Sequence, residues 1–596
     1  MCGLFAHNYN DKNLSEETNK ILFHRGPDFN NYINIKKFTI GHNLLSIRGS
    51  IELSKQPKIT KSGRYIFAFN GQIYNTSEIC NKFGLNFHNN IDTLILSDLI
   101  ELKGKNFISH IDGMFSIILF DKKKNEVHAY RDNSGQKPLY YYNNNGKYFI
   151  CSEIKPILNC IKKYEKVETD ELGITEILTY GYNTSTSTIF KNIKKVLPGQ
   201  KVKIDINGKF NFNNFSPNFI ANKNSLEAII EENIKKHLQT EQKIGINLSG
   251  GFDSNIILYE SLKYKPNISV FSTKFETKNE KYNLDFNAAK QIASSYQIPF
   301  YETVVTKNDY IENFIKSFQA IEEPNFNINN PAYYLNYKNQ NKNGFRSILS
   351  GDGGDEIFVG YDWYFNYKRY ESIFALFSKI LKNKKLYLEV FNFFREFKRY
   401  NFYISNKSFV NNKIYYKNIF SNFLSISNNF KNYLVSNFSN IPSLDWDKKK
   451  LLLQQYFWLN GEILLRADKL AMANSLEARS PFCDYNFRQN LLLNLNKNDF
   501  SGKMNKLRIR QLYKNKLHPI VVGNKAKLGW TIPNEWKIEK KLTDSIIDIM
   551  PNQDDNYIKW GKIKDSMKLN NNFISQKNMN GIISLAILKK KNFLNF

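Results

Sequence analysis

The sequence predicts an α/β chain of more than one domain, with stacked antiparallel sheets in its first third and a doubly wound parallel sheet after it. Three observations predict this. The chain has 596 residues, too many for one hydrophobic core. Residues 1 to about 195 hold short alternating stretches bounded by Asn, Gly and charged turns. From about residue 225 the pattern becomes strand, glycine loop, helix, and strands alternating with helices build a parallel sheet covered on both faces.

In the first part RYIFAFNGQIY, GMFSIILFD, EVHAYRD, KPLYYYN and KYFICSE read as strands, and LSEETNKILFHR and DTLILSDLIELKG as helices. KKVLPGQKVKIDINGKFNF makes hairpin turns, and SLEAIIEENIKKHLQ then begins a helical period. The boundary falls near 215–225, giving domains of 1–215 and 216–596. In the second domain KIGINL, ISVFSTKF, PFYETVV and FRSILS are strands, with NIILYESLKY and FNAAKQIASSYQ as helices between them. Residues 362–445 are dense in Tyr, Phe, Lys and Asn without a turn and strand rhythm, which predicts a helical insertion with aromatic faces. A basic membrane-surface patch is the alternative there.

Apolar residues make up 42% of the chain and aromatic ones 15%, ample for burial. Lys and Arg outnumber Asp and Glu by 84 to 55, a formal charge of +29. The excess is spread along the chain and is mostly Lys, with only short KKK runs, so it reads as compositional bias rather than a nucleic-acid surface. The five cysteines form no CxxC pair, which argues against a zinc or redox site. No apolar run approaches the ~18 residues of a membrane span, and charge arrives by Asp11, too early for a secretory h-region. The expected location is cytoplasmic, with no nucleic acid and no membrane span; a homodimer is left open.

Two loops carry candidate chemistry. SGGFDS, Ser249 to Ser254, lies between a strand and a helix. Gly250 and Gly251 let backbone N–H groups approach an anion, and the following helix points its positive end at the same spot. Asp253 would repel a phosphate unless a divalent cation lay between them. A tight turn with a helix cap is the plainer reading. The second loop, SGDGGDEIF, places Asp352, Asp355 and Glu356 after another strand. Loops at the carboxyl ends of parallel strands share one crevice, so the acidic and glycine loops face each other, which again implies Mg²⁺. Downstream, Lys503 and Lys506 lie on a predicted helix, where a lysine reaching the crevice would offset charge on a phosphorus centre. The chain also opens with MCGLF: trimming Met1 would leave Cys2 with a nucleophile and a free α-amine on one carbon, though an incidental thiol reads equally well from the start of one sequence, and acylation there is an alternative without a supporting signal.

Together these pieces resemble the glutamine-dependent asparagine synthetase family. SGGFDS, LSGDGGDEIFVGY, LLRADKLAMANSLEARSPFCD and KAKLGWTIPNEW follow that family's order, as do HRGPD, FNGQIYN, RDNSGQKPLYY and CSEIKPIL in the first half. The resemblance implies an N-terminal αββα glutaminase domain of the Ntn-hydrolase type and a C-terminal synthetase domain of the ATP-pyrophosphatase type. It implies that Cys2 attacks the glutamine amide with its own α-amine as base, two groups titrating near 8 and 8.5. Asn70 and the Gly71 N–H are then the oxyanion donors, and Gln72 and Asp92 bind glutamine. Leu248, Ser249, Gly250, Gly251, Asp253, Ser254, Ser272, Ser350, Gly351 and Asp352 would bind ATP, with Mg²⁺ held by Asp253 and Asp355 and catalytic support from Lys506. Ammonia would travel through an internal tunnel to an acyl-adenylate. Aspartate is the implied acceptor, a uronic acid of a surface-polysaccharide precursor the alternative, and a decayed scaffold a third reading.

Two positions depart from the family pattern. An Arg that holds the glutamine carboxylate usually stands just before LSI; here it is Leu44, and Arg48 follows four residues on, ~13 Å away in an extended strand. Likewise the family's NGE is NGQ, with Gln72 for the acid. Either glutamine binds weakly or the segment carrying Arg48 is rebuilt to reach it.

Overall fold

A computed structural model describes the chain except residues 1, 12, 36–37, 206, 218, 220, 362–411, 439–444, 502–503, 524–529, 570–579 and 590–596. Two six-stranded antiparallel sheets stack in the first part. One orders its strands as Ile193–Lys195, Tyr140–Asn144, Lys147–Cys151, Cys2–His7, Phe38–Leu44 and Phe29–Ile35; the other as Phe210–Asn214, Gln200–Ile204, Glu126–Arg131, Gly113–Asp121, Tyr65–Ile73 and Lys58–Ile59.

Side-chain alternation divides each strand between two cores. Leu4 and Ala6 pack inward with Ile66, Ala68, Ile118 and Ala129, between the sheets. Phe5, on the opposite face of its strand, packs outward with Leu14, Leu22, Ile154 and Ile157 of the covering helices. Phe67 and Phe69 likewise face Ile95, Leu96 and Leu99 of the helix Asp92–Lys103. Helix, sheet, sheet, helix is the αββα arrangement that the resemblance implied.

The second part holds a five-stranded parallel sheet, ordered Phe300–Val305, Ser269–Phe275, Ile244–Asn247, Ser347–Leu349 and Glu477–Arg479. The order reverses between Ile244–Asn247 and Ser347–Leu349, so the loops after these two strands open into one crevice. Those loops are SGGFDS and SGDGGDE. Of the predicted insertion, Asn412–Phe438 forms a helix; residues 362–411 and 439–444 lie outside the described ones. Lys506 differs from the prediction. It precedes the helix Leu507–Tyr513 in a left-handed conformation, φ +55°, and Lys503 lies outside the described residues.

The two parts join through buried charge. Arg25 donates to the Cys2 carbonyl at 3.2 Å, to Glu153 at 3.1 Å and, across the junction, to Asp468 at 2.9 Å. Lys195 of the first part meets Glu323 of the second at 2.9 Å, both buried. Such pairs lose water on both sides and favour one arrangement of the two parts.

Candidate functional site

The first site surrounds Cys2, at the head of the strand Cys2–His7. The thiol is buried, and burial pushes it above its ordinary value, against a backbone hydrogen bond from Leu45 that favours the thiolate. The Cys2 nitrogen donates to Asn70 Oδ1 at 2.8 Å, while Asn70 Nδ2 points to Ser116 Oγ at 3.4 Å. Gly71 follows with φ +148°. A Cβ there would stand 1.9 Å from the Met114 carbonyl, so only glycine lets the two strands close beside the thiol.

The cavity at Cys2 is about 30 Å³ and is lined by Leu44, Arg48, Gly71, Gln72, Asp92, Glu477 and Arg479 among others. That is roughly one water's share of liquid. Gln72 Nε2 donates to the Gln239 carbonyl at 3.0 Å, leaving Gln72 Oε1 buried without a hydrogen-bond partner. Asp92 accepts from the Ile73 N–H at 3.4 Å; burial raises its carboxyl and Arg48 opposes the rise.

Arg48 therefore reaches the pocket, and the extended-strand distance does not apply to it. The strand Phe38–Leu44 stops at Leu44. The next residues leave the sheet, held by Ser46 N–H donating to Asp28 at 2.8 Å. Arg48 turns back, bonding the Ile73 carbonyl at 3.0 Å and Gln239 Oε1 at 2.7 Å.

Two pocket residues come from the parallel sheet. Glu477 and Arg479 meet at 2.5 Å. Burial alone would raise the Glu477 carboxyl, but Arg479 and neighbouring Lys137 hold it down at about 2. Arg479 also donates to the His237 and Gln239 carbonyls at 2.6 and 3.0 Å, and its Nη2 is buried without a hydrogen-bond partner. Sequence reasoning missed both as pocket residues. LEARSPF was visible, but nothing in it says that its strand ends against Cys2.

The second site is the crevice of the parallel sheet, about 470 Å³. Leu248, Ser249, Gly250, Gly251, Asp253, Ser254, Ser272, Ser350, Gly351, Asp352, Asp355 and Lys506 all line it. Asp253 and Asp355, from the two loops, converge on Lys506 Nζ at 2.5 and 2.7 Å. These two carboxylates raise the lysine against the opposing effect of burial, so it stays charged. The loops approach this closely because Gly354 carries no side chain: a Cβ there would stand 2.4 Å from the Asp253 carboxyl carbon.

Within SGGFDS, Gly250 N–H donates to Asp285 at 3.1 Å and Gly251 N–H to Ser249 Oγ at 3.1 Å. Ser350 Oγ donates to Asp352 at 2.8 Å. Burial raises Asp352, and Arg466 counters it. Tyr333, Tyr337 and Trp530 supply aromatic walls that the sequence reading did not find. Among the described residues no cluster of three or more His, Cys, Asp or Glu is arranged to hold a metal ion. The two carboxylates on Lys506 are nonetheless hard oxygen donors of the kind Mg²⁺ accepts beside phosphates. No described helix is long and apolar enough to cross a membrane.

Comparison with known proteins agrees with this pairing of sites. A glutamine amidotransferase domain family matches residues 1–215 and an asparagine synthase family residues 225–587. Asparagine synthetase [glutamine-hydrolyzing] 1 of Bacillus subtilis is 26% identical over 81% of this chain and 79% of its own length. Asparagine synthetase B [glutamine-hydrolyzing] of Escherichia coli is 25% identical over 58% of this chain and 61% of its own. The chain belongs to the asparagine synthase family, as an asparagine-synthetase-like ligase with glutamine as its amido donor.

Proposed function

We propose that this chain moves the side-chain nitrogen of glutamine onto the β-carboxylate of aspartate, activated by ATP, releasing AMP and pyrophosphate. The observation that carries the reading is one shared strand. Glu477–Arg479 places its side chains against Cys2, while its Arg479 carbonyl accepts the Ser350 N–H of the nucleotide crevice at 2.9 Å. Nitrogen release and acid activation thus border the same short strand.

In this reading, removal of Met1 frees the Cys2 nitrogen as the general base, and the thiol attacks the glutamine amide. The Gly71 N–H and Asn70 stabilise the oxyanion. Asp92 and Gln72 Oε1 receive the ammonium group and Arg48 the carboxylate. A 30 Å³ pocket cannot hold glutamine, so the substrate displaces the contacts of Arg48 and Gln72 to Gln239. The ammonia released crosses inside the chain.

In the crevice the two glycine loops bind ATP through Leu248 to Ser254, Ser272 and Ser350 to Asp352. Mg²⁺, held by Asp253 and Asp355, would supply charge neutralisation to the pyrophosphate. Lys506 offsets charge developing at the reacting phosphorus and on the amide-forming intermediate.

A substrate panel tests the acceptor. Candidate acids are offered singly with ATP, Mg²⁺ and ammonium chloride, and pyrophosphate release is followed. Turnover with aspartate alone is expected. Turnover only with a nucleotide-linked uronate overturns the acceptor, and no turnover with any acid overturns the enzymatic reading.

A further inference from the structure

A cavity of about 360 Å³ lies at the junction of the two parts, sharing no lining residue with either site described above. Asp112 enters it from the antiparallel sheets. Its backbone is pinned on both sides: the N–H donates to Asn75 Oδ1 at 2.9 Å and the carbonyl accepts the Tyr74 N–H at 2.8 Å. The residue is 3% exposed, and its carboxylate oxygens have no partner within hydrogen-bond distance, although the Asn486 side chain lies near enough to favour the charged form.

Three further acceptors come from the other part. Asp484 caps the helix Tyr485–Asn494, its Oδ1 accepting the Phe487 N–H at 2.7 Å, and its Oδ2 is left over. Asn233 is 4% exposed. Its Nδ2 donates to the Pro481 carbonyl at 2.8 Å, which fixes the remaining atom as oxygen, and that Oδ1 has no partner. Asn486 Oδ1 is likewise unpartnered. These leftover atoms are all acceptors, and no buried donor lining the cavity goes unmet.

Charge points the same way. Glu78, Asp112, Glu232 and Asp484 line the cavity against Lys223 and Lys236, with His110 beside them. Lys223 is exposed, and Lys236 is the ammonium that faces Asp112 and Asp484, whose charges support it more than Glu232 does at 3.8 Å. One ammonium group does not satisfy two buried carboxylates and two amide oxygens, and buried acceptors without donors are costly. Carboxylate and amide oxygens together are the donor set of hard divalent cations.

We propose that this cavity binds a divalent, oxygen-preferring cation, Ca²⁺ or Mg²⁺, through Asp112 of one part and Asp484, Asn233 and Asn486 of the other. The ion would tie the two parts together at a point distinct from the nucleotide crevice.

The test uses full-length protein stripped with EDTA and free of nucleotide. Bound Mn²⁺ is counted by electron paramagnetic resonance, and Ca²⁺ binding is followed by calorimetry. An Asp253→Asn, Asp355→Asn background removes the two crevice carboxylates expected to hold Mg²⁺. The expected result is one bound ion and a raised melting temperature in that background, both lost in Asp112→Asn. Asp484→Asn, which keeps a capping residue, is the second variant and is expected to lose both as well. No bound ion in the background protein, or unchanged binding in either folded variant, overturns the proposal. The readout is metal binding, so it stands or falls independently of which acid the enzyme amidates.

Discussion

Arg48 Nη1 stands 3.8 Å from Asp92 Oδ2, both side chains buried in the wall of the Cys2 pocket. This pair presents a cation and an anion side by side, the charge pattern that an amino-acid zwitterion would meet. Leu44, where the family places an arginine, is buried at the strand end opposite Cys2 in the register. The guanidinium has in effect been moved from the strand to the segment after it.

If Arg48 holds the glutamine carboxylate, Arg48→Met raises the KM for glutamine and leaves ammonium-dependent synthesis unchanged. A hydrogen bond to a charged group is worth about 1.5–3 kcal/mol, so the rise is roughly tenfold or more. Steady-state kinetics with each nitrogen source check this. An unchanged KM for glutamine removes Arg48 from the role.

Cys2→Ala removes the sulfur and leaves only the Cβ methyl. Glutamine-dependent product formation falls to background, while synthesis from added ammonium stays near the wild-type rate. Product measured from both sources in parallel decides it, since equal output after the change would mean that nitrogen is not released at Cys2.

The strands Tyr65–Ile73 and Gly113–Asp121 were legible because apolar side chains there run between clear turn signals. Cys2–His7 and Phe38–Leu44 were not read as strands. Every residue in both is buried, so neither has a solvent face to produce alternation, and Gly41, His42 and Asn43 break the apolar run. The two glycine loops were legible as anion sites because glycines between strand and helix have a local physical meaning. Arg48 and Arg479 were not legible as pocket residues. The first depends on where a strand ends, the second on which strand joins the sheet last, and both are tertiary facts.

Glu477 makes the junction acid-sensitive. Its folded carboxyl is depressed to about 2 from an ordinary 4.5, so its stabilising contribution is present above pH 4.5 and is lost as pH falls toward 2. Glu477→Gln leaves Arg479 buried without its counter-charge, a loss of about 3–5 kcal/mol at neutral pH. Melting temperatures of wild type and variant should therefore lie far apart at pH 7 and converge as pH drops from 4.5 toward 2. Parallel curves across that range would mean that the pair carries no net charge coupling.

Lys506 bridges the two glycine loops at ion-pair distance, and its left-handed backbone places the ammonium between Asp253 and Asp355. Lys506→Met removes that charge and leaves two acidic loops facing each other. Two effects follow, and they separate by assay. Losing one preorganised cation at the reacting phosphorus costs about 10²–10³ in rate, so pyrophosphate release falls with glutamine and with ammonium alike. Glutamine hydrolysis at Cys2, which does not use the crevice, continues. Lys506→Arg keeps the charge but needs more room, and a Cβ on Gly360 would already stand 2.6 Å from Lys506 Cε, so the larger fork fits poorly and rescue is partial. If Lys506→Met instead abolishes glutamine hydrolysis while sparing pyrophosphate release, the division of chemistry between the two sites is wrong.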